Sequence, residues 1–378
     1  MTDFQSLGLA APLLEAVRKA GYQIPTPIQA QAIPAILQGS DVEGIAQTGT
    51  GKTAAFVLPI LHRLLDTPHT ASDRTCRALI LAPTRELAGQ ICDAARSYAR
   101  HTSLRATVMV GGIPKGKQAK AVSAGIDILV ATPGRLLDHL SDGAIRLDGT
   151  GVLVLDEADR MLDLGFIPDI RHIAGLLPQR RQTLLFSATM PPEIALLAKQ
   201  LLHAPLHVAV TPEAVTAERI DHRVIFLDVQ QKRPVLIEMI KRGRMRRTVV
   251  FTRTRQGADA VVAGLDQAGI RAGAIHGDKS QPQRDRTLAS FRAGTFPVLV
   301  ATDVAARGID IDGLTHVVNF DVPDVPEAYV HRVGRTARAG ARGIAISLCA
   351  ASERQSLRAI EKLVGSRLKV YEPHNAAG

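Results

Sequence analysis

"AQTGTGKT", residues 46–53, stands between the apolar beginning of a strand and the helical pattern "AAFVLPILHRLL" of residues 54–65. A strand, a glycine-rich turn and a helix in that order form a cradle for an anion. Gly49 and Gly51 let backbone N–H groups approach phosphate oxygens, and the helix that follows presents its positive end to them. Lys52 is placed to reach the β- and γ-phosphates of a nucleotide, and the Thr53 hydroxyl to ligate Mg²⁺, with Thr48 and Thr50 completing the loop. Ala46 occupies the position where the general pattern has its first glycine, so the strict pattern is not met. The strand–loop–helix setting nevertheless keeps the phosphate reading.

Such a loop belongs at the carboxyl edge of an open parallel sheet, where ligands bind, and the surrounding sequence is patterned accordingly. "RALILAPTRELAGQI" (77–91), "IDILVATPGRLLDHL" (126–140), "GVLVLDEADRML" (151–162) and "QTLLFSATMPPEIALLAKQLL" (182–202) each pair a short Val/Ile/Leu run with a polar turn and a helical pattern. The second half repeats this in "TVVFTRTRQGADAVVAGL" (248–265), "PVLVATDVAARGID" (297–310) and "HVVNFDVPDVPEAYVHRV" (316–333). Runs of this kind read as strands buried on both faces, with helices as crossovers. The fold class is therefore α/β, an open parallel sheet flanked by helices, written twice. Between the halves "HVAVTPEAVTAERIDHRV" (207–224) contains Pro212 and loses the helical period. This places a linker at 210–220 between domains 1–209 and 221–378. In "VLVLDEAD" (152–159), Asp156 can hold Mg²⁺ through water, and Glu157 can orient and deprotonate an attacking water.

Length and composition suit two domains with real cores. No apolar run reaches membrane-spanning length, and "MTDFQSLGLA" has no basic stretch before an apolar one, so no membrane association is expected. Cys76, Cys92 and Cys349 are too few and scattered for a disulfide framework or a cysteine zinc site, which fits a reducing, cytoplasmic setting. The formal net charge of +10 lies mostly in residues 210–378, pointing to a polyanionic partner such as nucleic acid. With aromatics at only 3% and no Trp, contacts to sugar and phosphate should dominate over base stacking. The densest cationic row is "YVHRVGRTARAG" (329–340), with His331, Arg332, Arg335 and Arg338. Taken alone it reads as a solvated helix face. Beside a phosphate loop it acquires an anion to serve.

Asp156-Glu157-Ala158-Asp159 and the motifs around it resemble the DEAD-box ATP-dependent RNA helicases, in order along nearly the whole chain. The resemblance implies two tandem RecA-like domains and an RNA-dependent ATPase using ATP and Mg²⁺. Its implied action is local unwinding of short RNA duplexes, or remodelling of RNA–protein complexes, through sequence-independent backbone contacts. "GYQIPTPIQ" (21–29) is similar to the family's adenine-recognising Q motif. By that likeness Gln29 contacts the adenine edge, Phe4 stacks on the base, and Tyr22, Ile24 and Thr26 shape the pocket. "SAT" (187–189) resembles the motif coupling hydrolysis to strand separation, with Ser187 and Thr189 able to reach Asp159 and the opposite domain.

The first-domain RNA contacts implied are Thr84 and Arg85 in "PTREL", Gly111 and Gly112, and Thr132, Gly134 and Arg135 in "TPGR". In the second domain they are Arg253 in "FTRT", Gly277, Gln283 and Arg284 in "HGDKSQPQR", and Thr302 and Asp303 in "ATDVAARGID". Asp310 would hold the ribose and Arg307 would brace the domain interface. Arg335 and Arg338 would be the arginine fingers on the γ-phosphate, with Arg332 and His331 bracing the interface with the SAT and DEAD loops.

"GFIPDI" (165–170) and the compact ends look most like the bacterial RhlE-type branch. Two departures stand out. Glu43 sits where a buried strand calls for an apolar side chain, and Ala328 precedes Tyr329 where the family often has an acid. "KRGRMRR" (241–247) reads as a solvated turn, with a supplementary RNA patch as the alternative. A monomer is expected. The rival readings are an ATP-gated RNA clamp with slow turnover and a DNA-directed helicase of the same superfamily.

Overall fold

The structure, a computed structural model, describes residues 3–47, 49–67, 71–210, 220–242, 245, 247–303, 313–336 and 343–371. The chain divides into two compact units, residues 1–211 and 212–378. Among the described residues each unit is built on one seven-stranded, all-parallel sheet.

In the first unit the strands are β1 (Val42–Ile45), β2 (Cys76–Leu81), β3 (Ala106–Met109), β4 (Ile126–Ala131), β5 (Val152–Leu155), β6 (Gln182–Ser187) and β7 (Leu206–Ala209). They lie in the order β3-β4-β2-β5-β6-β1-β7. Because successive strand residues face opposite ways, each apolar run supplies two cores at once. Ile80, Val154, Leu184 and Phe186 pack on one face with Ile33 and Phe56, while Leu79, Leu81, Leu153, Leu155 and Leu185 pack on the other with Leu136, Ile170 and Leu197. Helices Lys52–Asp66 and Arg85–Tyr98 thus cover one face, and Pro133–Ser141, Ile167–Gly175 and Pro192–Leu201 cover the other. A methyl group on Gly44 of β1 would stand 2.5 Å from the Phe186 ring, so the strand leading into the phosphate loop can pass only as glycine there. Glu43 is accommodated by pairing: it lies opposite His207 in the β1–β7 register and meets its Nδ1 at 3.1 Å.

The second unit holds β8 (Ile220–Phe226), β9 (Thr248–Thr252), β10 (Ala272–Ile275), β11 (Val298–Thr302), β12 (His316–Asn319), β13 (Gly343–Cys349) and β14 (Lys369–Val370), ordered β10-β11-β9-β12-β13-β8-β14. Position for position this is the order of the first sheet. Its two cores are likewise divided by alternation, with Val249, Phe251 and Leu299 on one face and Val250, Val298 and Val300 on the other. Of the expected 210–220 connection, Val210 still donates its N–H to Ile45 O at the end of the first sheet, Ile220 already pairs with Gly343, and 211–219 lie outside the described residues.

Candidate functional site

Strand order sorts the turn chemistry. In the first unit the turns after β3, β4 and β2 carry Gly111-Gly112, Thr132–Arg135 and Thr84-Arg85, on three adjacent strands. The turns after β5, β6 and β1, the next three along the same edge, carry Asp156–Asp159, Ser187–Thr189 and the phosphate loop. Residues scattered through the sequence so form two contiguous groups.

Within the second group, Gly49 and Gly51 take left-handed backbone angles, φ 87° and 89°, which L side chains rarely adopt. A methyl group on Gly51 would also collide with the Gln29 amide. Lys52 is buried, its Nζ donating to Ala46 O at 2.6 Å, so the ammonium is curled into the loop. Gln29 joins the loop to the segment before it: its Oε1 accepts from Thr26 N (2.9 Å) and its Nε2 donates to Gly51 O (3.1 Å). The Phe4 ring is buried and stacks on Tyr22, centroids 6.3 Å apart, and the Tyr22 hydroxyl meets that of Tyr98 at 3.0 Å. Ile24 is exposed.

Asp156 lies just beyond β5. Burial pushes its carboxyl up to about 7, opposed by the Lys52 charge and reinforced by Glu157 and Asp159. Glu157 has left-handed backbone angles (φ 54°, ψ 55°), a strain that turns the chain into helix Ala158–Asp163. Its Oε2 accepts from Arg160 Nη1 at 2.9 Å, both side chains being buried. The sequence reading did not single out Arg160, although a cation three residues past an acid on a helix is a visible signal. Asp159 is held on every side: its N–H donates to Ser187 Oγ (3.1 Å), and its Oδ2 accepts from both the N–H and the hydroxyl of Thr189 (2.9 Å each).

In the first group Thr84 caps helix Arg85–Tyr98, its Oγ1 accepting from Leu87 N at 3.3 Å. Arg85 lies over Gly111, where a methyl group would stand 2.6 Å from its Nη2. Gly112 is left-handed (φ 79°). Thr132 and Gly134 open helix Pro133–Ser141, and Arg135 Nη1 donates to Ile113 O at 3.1 Å.

In the second unit the turns after β10, β11 and β9 occupy the positions of the first sheet's β3, β4 and β2 turns. They carry Gly277, Thr302-Asp303 and Arg253. Half-exposed Arg253 has its N–H bound to Asp321 Oδ2 (2.8 Å) and its Nη2 to Asp324 Oδ1 (3.1 Å). Gln283 Oε1 accepts from the N–H and hydroxyl of Ser280, and Arg284 follows in the first turn of helix Gln281–Arg292. Arg332 is bound inside its own unit. Its Nε and Nη2 grip both oxygens of Asp303 (2.6 and 2.7 Å), and its Nη1 donates to Asn319 Oδ1 (3.1 Å) and Asp321 O (2.7 Å). All its donor nitrogens are thus engaged within its own unit. Buried Arg335 follows on the turn after helix Pro326–Val333. Ala328 and Tyr329 face the core, Tyr329 meeting His222 Nδ1 at 2.7 Å. Thr48, Arg307, Asp310 and Arg338 lie outside the described residues, as does the side chain of His331.

A glycine cradle and a buried lysine after β1, and two carboxylates after β5 on the same edge of one parallel sheet, followed by a second sheet of the same order, define the class: a two-sheet, phosphate-loop ATPase. Comparison with known proteins narrows it. A family model described as DEAD/DEAH box helicase matches residues 26–197, and one described as helicase conserved C-terminal domain matches 231–340. The chain is 44% identical over 370 residues to the DEAD-box ATP-dependent RNA helicase CshA of Streptococcus pneumoniae, covering 98% of this chain and 70% of that one. It is 41% identical, over 98% of this chain and 74% of the other, to the DEAD-box ATP-dependent RNA helicase RhpA of Helicobacter pylori. Among solved structures, S. cerevisiae Dbp5 bound to RNA and ADP BeF3 is similar with a TM-score of 0.88 at 31% identity, covering 99% and 96% of the two chains. The protein belongs to the DEAD-box ATP-dependent RNA helicases.

Proposed function

We propose that the protein hydrolyses ATP with Mg²⁺ at the first sheet and uses the cycle to open short RNA duplexes locally or remodel RNA–protein complexes. The observation carrying this is the partition of turn chemistry: phosphate and carboxylate turns on three adjacent strands, backbone-binding turns on the neighbouring three. Gly49 to Thr53 bind the phosphates, with Thr48, Thr50 and Lys52, and Gln29, Phe4, Tyr22, Ile24 and Thr26 select adenine. Mg²⁺ fits the donor set of the Thr53 hydroxyl and the Asp156 carboxylate, since this ion favours one or two protein oxygens beside phosphates and water. When bound it neutralises charge on the β- and γ-phosphates. Glu157, oriented by Arg160, takes the proton of the attacking water.

Asp159, Ser187 and Thr189 form the hydrogen-bonded link from that carboxylate turn to the β6 turn, the route by which hydrolysis moves a neighbouring loop. Arg335 and Arg338 stabilise the transition-state phosphate, Asp310 holds the ribose, and Arg307 and His331 brace the closed state. Arg332 acts by holding Asp303. RNA is bound by Thr84, Arg85, Gly111, Gly112, Thr132, Gly134 and Arg135, and by Arg253, Gly277, Gln283, Arg284, Thr302 and Asp303. The protein is taken to be a monomer of the RhlE-type branch acting in the cytoplasm, a reducing setting in keeping with its three free, buried cysteines. ATP turnover measured with single-stranded RNA, duplex RNA and DNA tests this reading. RNA alone should stimulate strongly, and equal stimulation by DNA would overturn the RNA assignment.

A further inference from the structure

Helix Arg354–Val364 starts beyond the carboxyl end of β13 and packs on the second-unit core through Leu357 and Ile360. Its opposite face carries Arg354, Arg358 and Lys362, all exposed and four residues apart. One charge every four residues puts them about 6 Å apart along the axis. Like charges at that spacing oppose helix formation, whereas a solvated face ordinarily alternates sign. Among the described residues none of the three forms an ion pair, and the acids of the segment are engaged elsewhere. Glu353 binds Lys232 Nζ at 2.7 Å, and Glu361 Oε1 accepts from Leu368 N at 3.0 Å.

A second observation lies at the start of the helix. Phe226, the last residue of β8, is 44% exposed, and the Arg354 guanidinium sits 5.3 Å from its ring centroid. An exposed ring beside a guanidinium is a surface on which any base can stack. Phe226 pairs in register with Cys349 of β13, so ring and comb begin at the carboxyl edge of the sheet, the edge that carries Arg253, Gly277 and Thr302. From β9 to β8 is three strand steps, about 14 Å at ordinary strand spacing.

We propose that this face is an auxiliary RNA site. Arg354, Arg358 and Lys362 take backbone phosphates of a single strand leaving the Arg253–Thr302 surface, and Phe226 with Arg354 takes one base. An evenly spaced comb of charges beside a half-exposed aromatic ring matches a phosphate ribbon with bases better than an acidic protein, whose carboxylates need no ring. The site rests on the reading that this sheet edge binds RNA.

The test uses the full chain without nucleotide, comparing wild type, Phe226→Leu and the combined Arg354→Gln, Arg358→Gln, Lys362→Gln variant. Binding of oligouridylates of about 6 and about 20 nucleotides, bracketing a typical single-strand site, is followed by fluorescence anisotropy across a salt series. The short oligonucleotide should bind all three proteins within about twofold. The long one should bind the triple variant about tenfold or more weakly, with a log–log salt slope shallower by about 2, the share of three contacts. Phe226→Leu should weaken long-oligonucleotide binding about fivefold or more with the slope unchanged, since stacking carries no counterions.

Equal long-oligonucleotide affinity and slope for wild type and the triple variant, with the melting temperature unchanged, would overturn the proposal. So would polyglutamate binding the wild type more tightly than RNA does and losing that binding in the triple variant, which would assign the face to an acidic protein. Failure of even the short oligonucleotide to bind wild type would remove the RNA reading of the sheet edge itself.

Discussion

Replacing Arg332 by lysine keeps the charge and removes the fork. The arginine makes four bonds inside the second unit, two to Asp303, one to the Asn319 amide oxygen and one to Asp321 O, and lies 5.1 Å from the centroid of the Phe251 ring with 3% of its surface exposed. A shorter lysine, a point charge, can recover one or two of these. Each charge-assisted bond contributes about 1.5–3 kcal/mol, and a buried acceptor left bare costs about 1–3 kcal/mol. Asp303 keeps 28% of its side chain in water, which returns part of its loss, so the low end applies. The sum is about 3 kcal/mol, a large share of the roughly 5–15 kcal/mol that holds a domain. Hydrogen exchange reads this locally: amides of β9, β11 and β12 should lose about 100-fold in protection while those of the first sheet keep theirs. Unchanged protection together with lost RNA-stimulated ATP turnover would refute the reasoning. It would return Arg332 to a role outside its own unit.

Glu157→Gln should bind ATP and RNA while turnover falls by about 10²–10⁴, because the amide cannot accept the water's proton; near-normal turnover would assign the base elsewhere. Arg335→Ala should leave nucleotide affinity almost unchanged and abolish RNA stimulation, an arginine finger being responsible for about 10³–10⁵ in rate; retained stimulation would remove the finger assignment. Asp156, whose carboxyl is raised in the folded state, favours the fold when protonated. That contribution is fully present below the ordinary value of 3.8 and is lost as pH climbs through about 7. Thermal unfolding of nucleotide-free Asp156→Asn should therefore fall less between about pH 5 and 8 than that of wild type, and parallel profiles would contradict the burial argument.

Besides β1, which the phosphate loop marks, seven strands were legible because they lie inside the sheets and carry nearly unbroken apolar runs. The β5 stretch "VLVL" and the β6 stretch "QTLLFS" are buried throughout. The strands that escaped notice are mostly edges. β3 ("ATVM"), β10 ("AGAI") and β7 ("LHVA") each have a neighbour on one side only, are mostly exposed or half-buried, and need little apolar patterning. Candidate site residues were visible where the backbone itself is the device, as at Gly49 and Gly51; the strained backbone of Glu157 was not. Partnerships made by folding were not. Nothing local in the sequence says that Arg332 will hold Asp303, that Glu43 will meet His207 across β1 and β7, or that Lys232 will be buried against Glu353.

The two sheets share one strand order, yet their equivalent turns are resolved differently. β8 stands where β1 does, one in from the edge, but it runs into "LDVQQK" (227–232) without a glycine. Asp228 there flanks the short turn Val229–Gln231, its N–H donating to Gln231 Oε1 at 3.1 Å, and a carboxylate at that point repels a phosphate. β12 stands where β5 does, and the acid just beyond it, Asp321, is neutralised by Lys232 at 3.2 Å and by the Arg253 N–H at 2.8 Å. Its counterpart Asp156 keeps a carboxyl raised to about 7, crowded by Glu157 and Asp159 and relieved only in part by Lys52. One sheet has satisfied its acids and become a scaffold that carries cations on its rim. The other keeps the raised Asp156 carboxyl and the glycine loop on one sheet edge, which is where the proposed ATP and Mg²⁺ would sit.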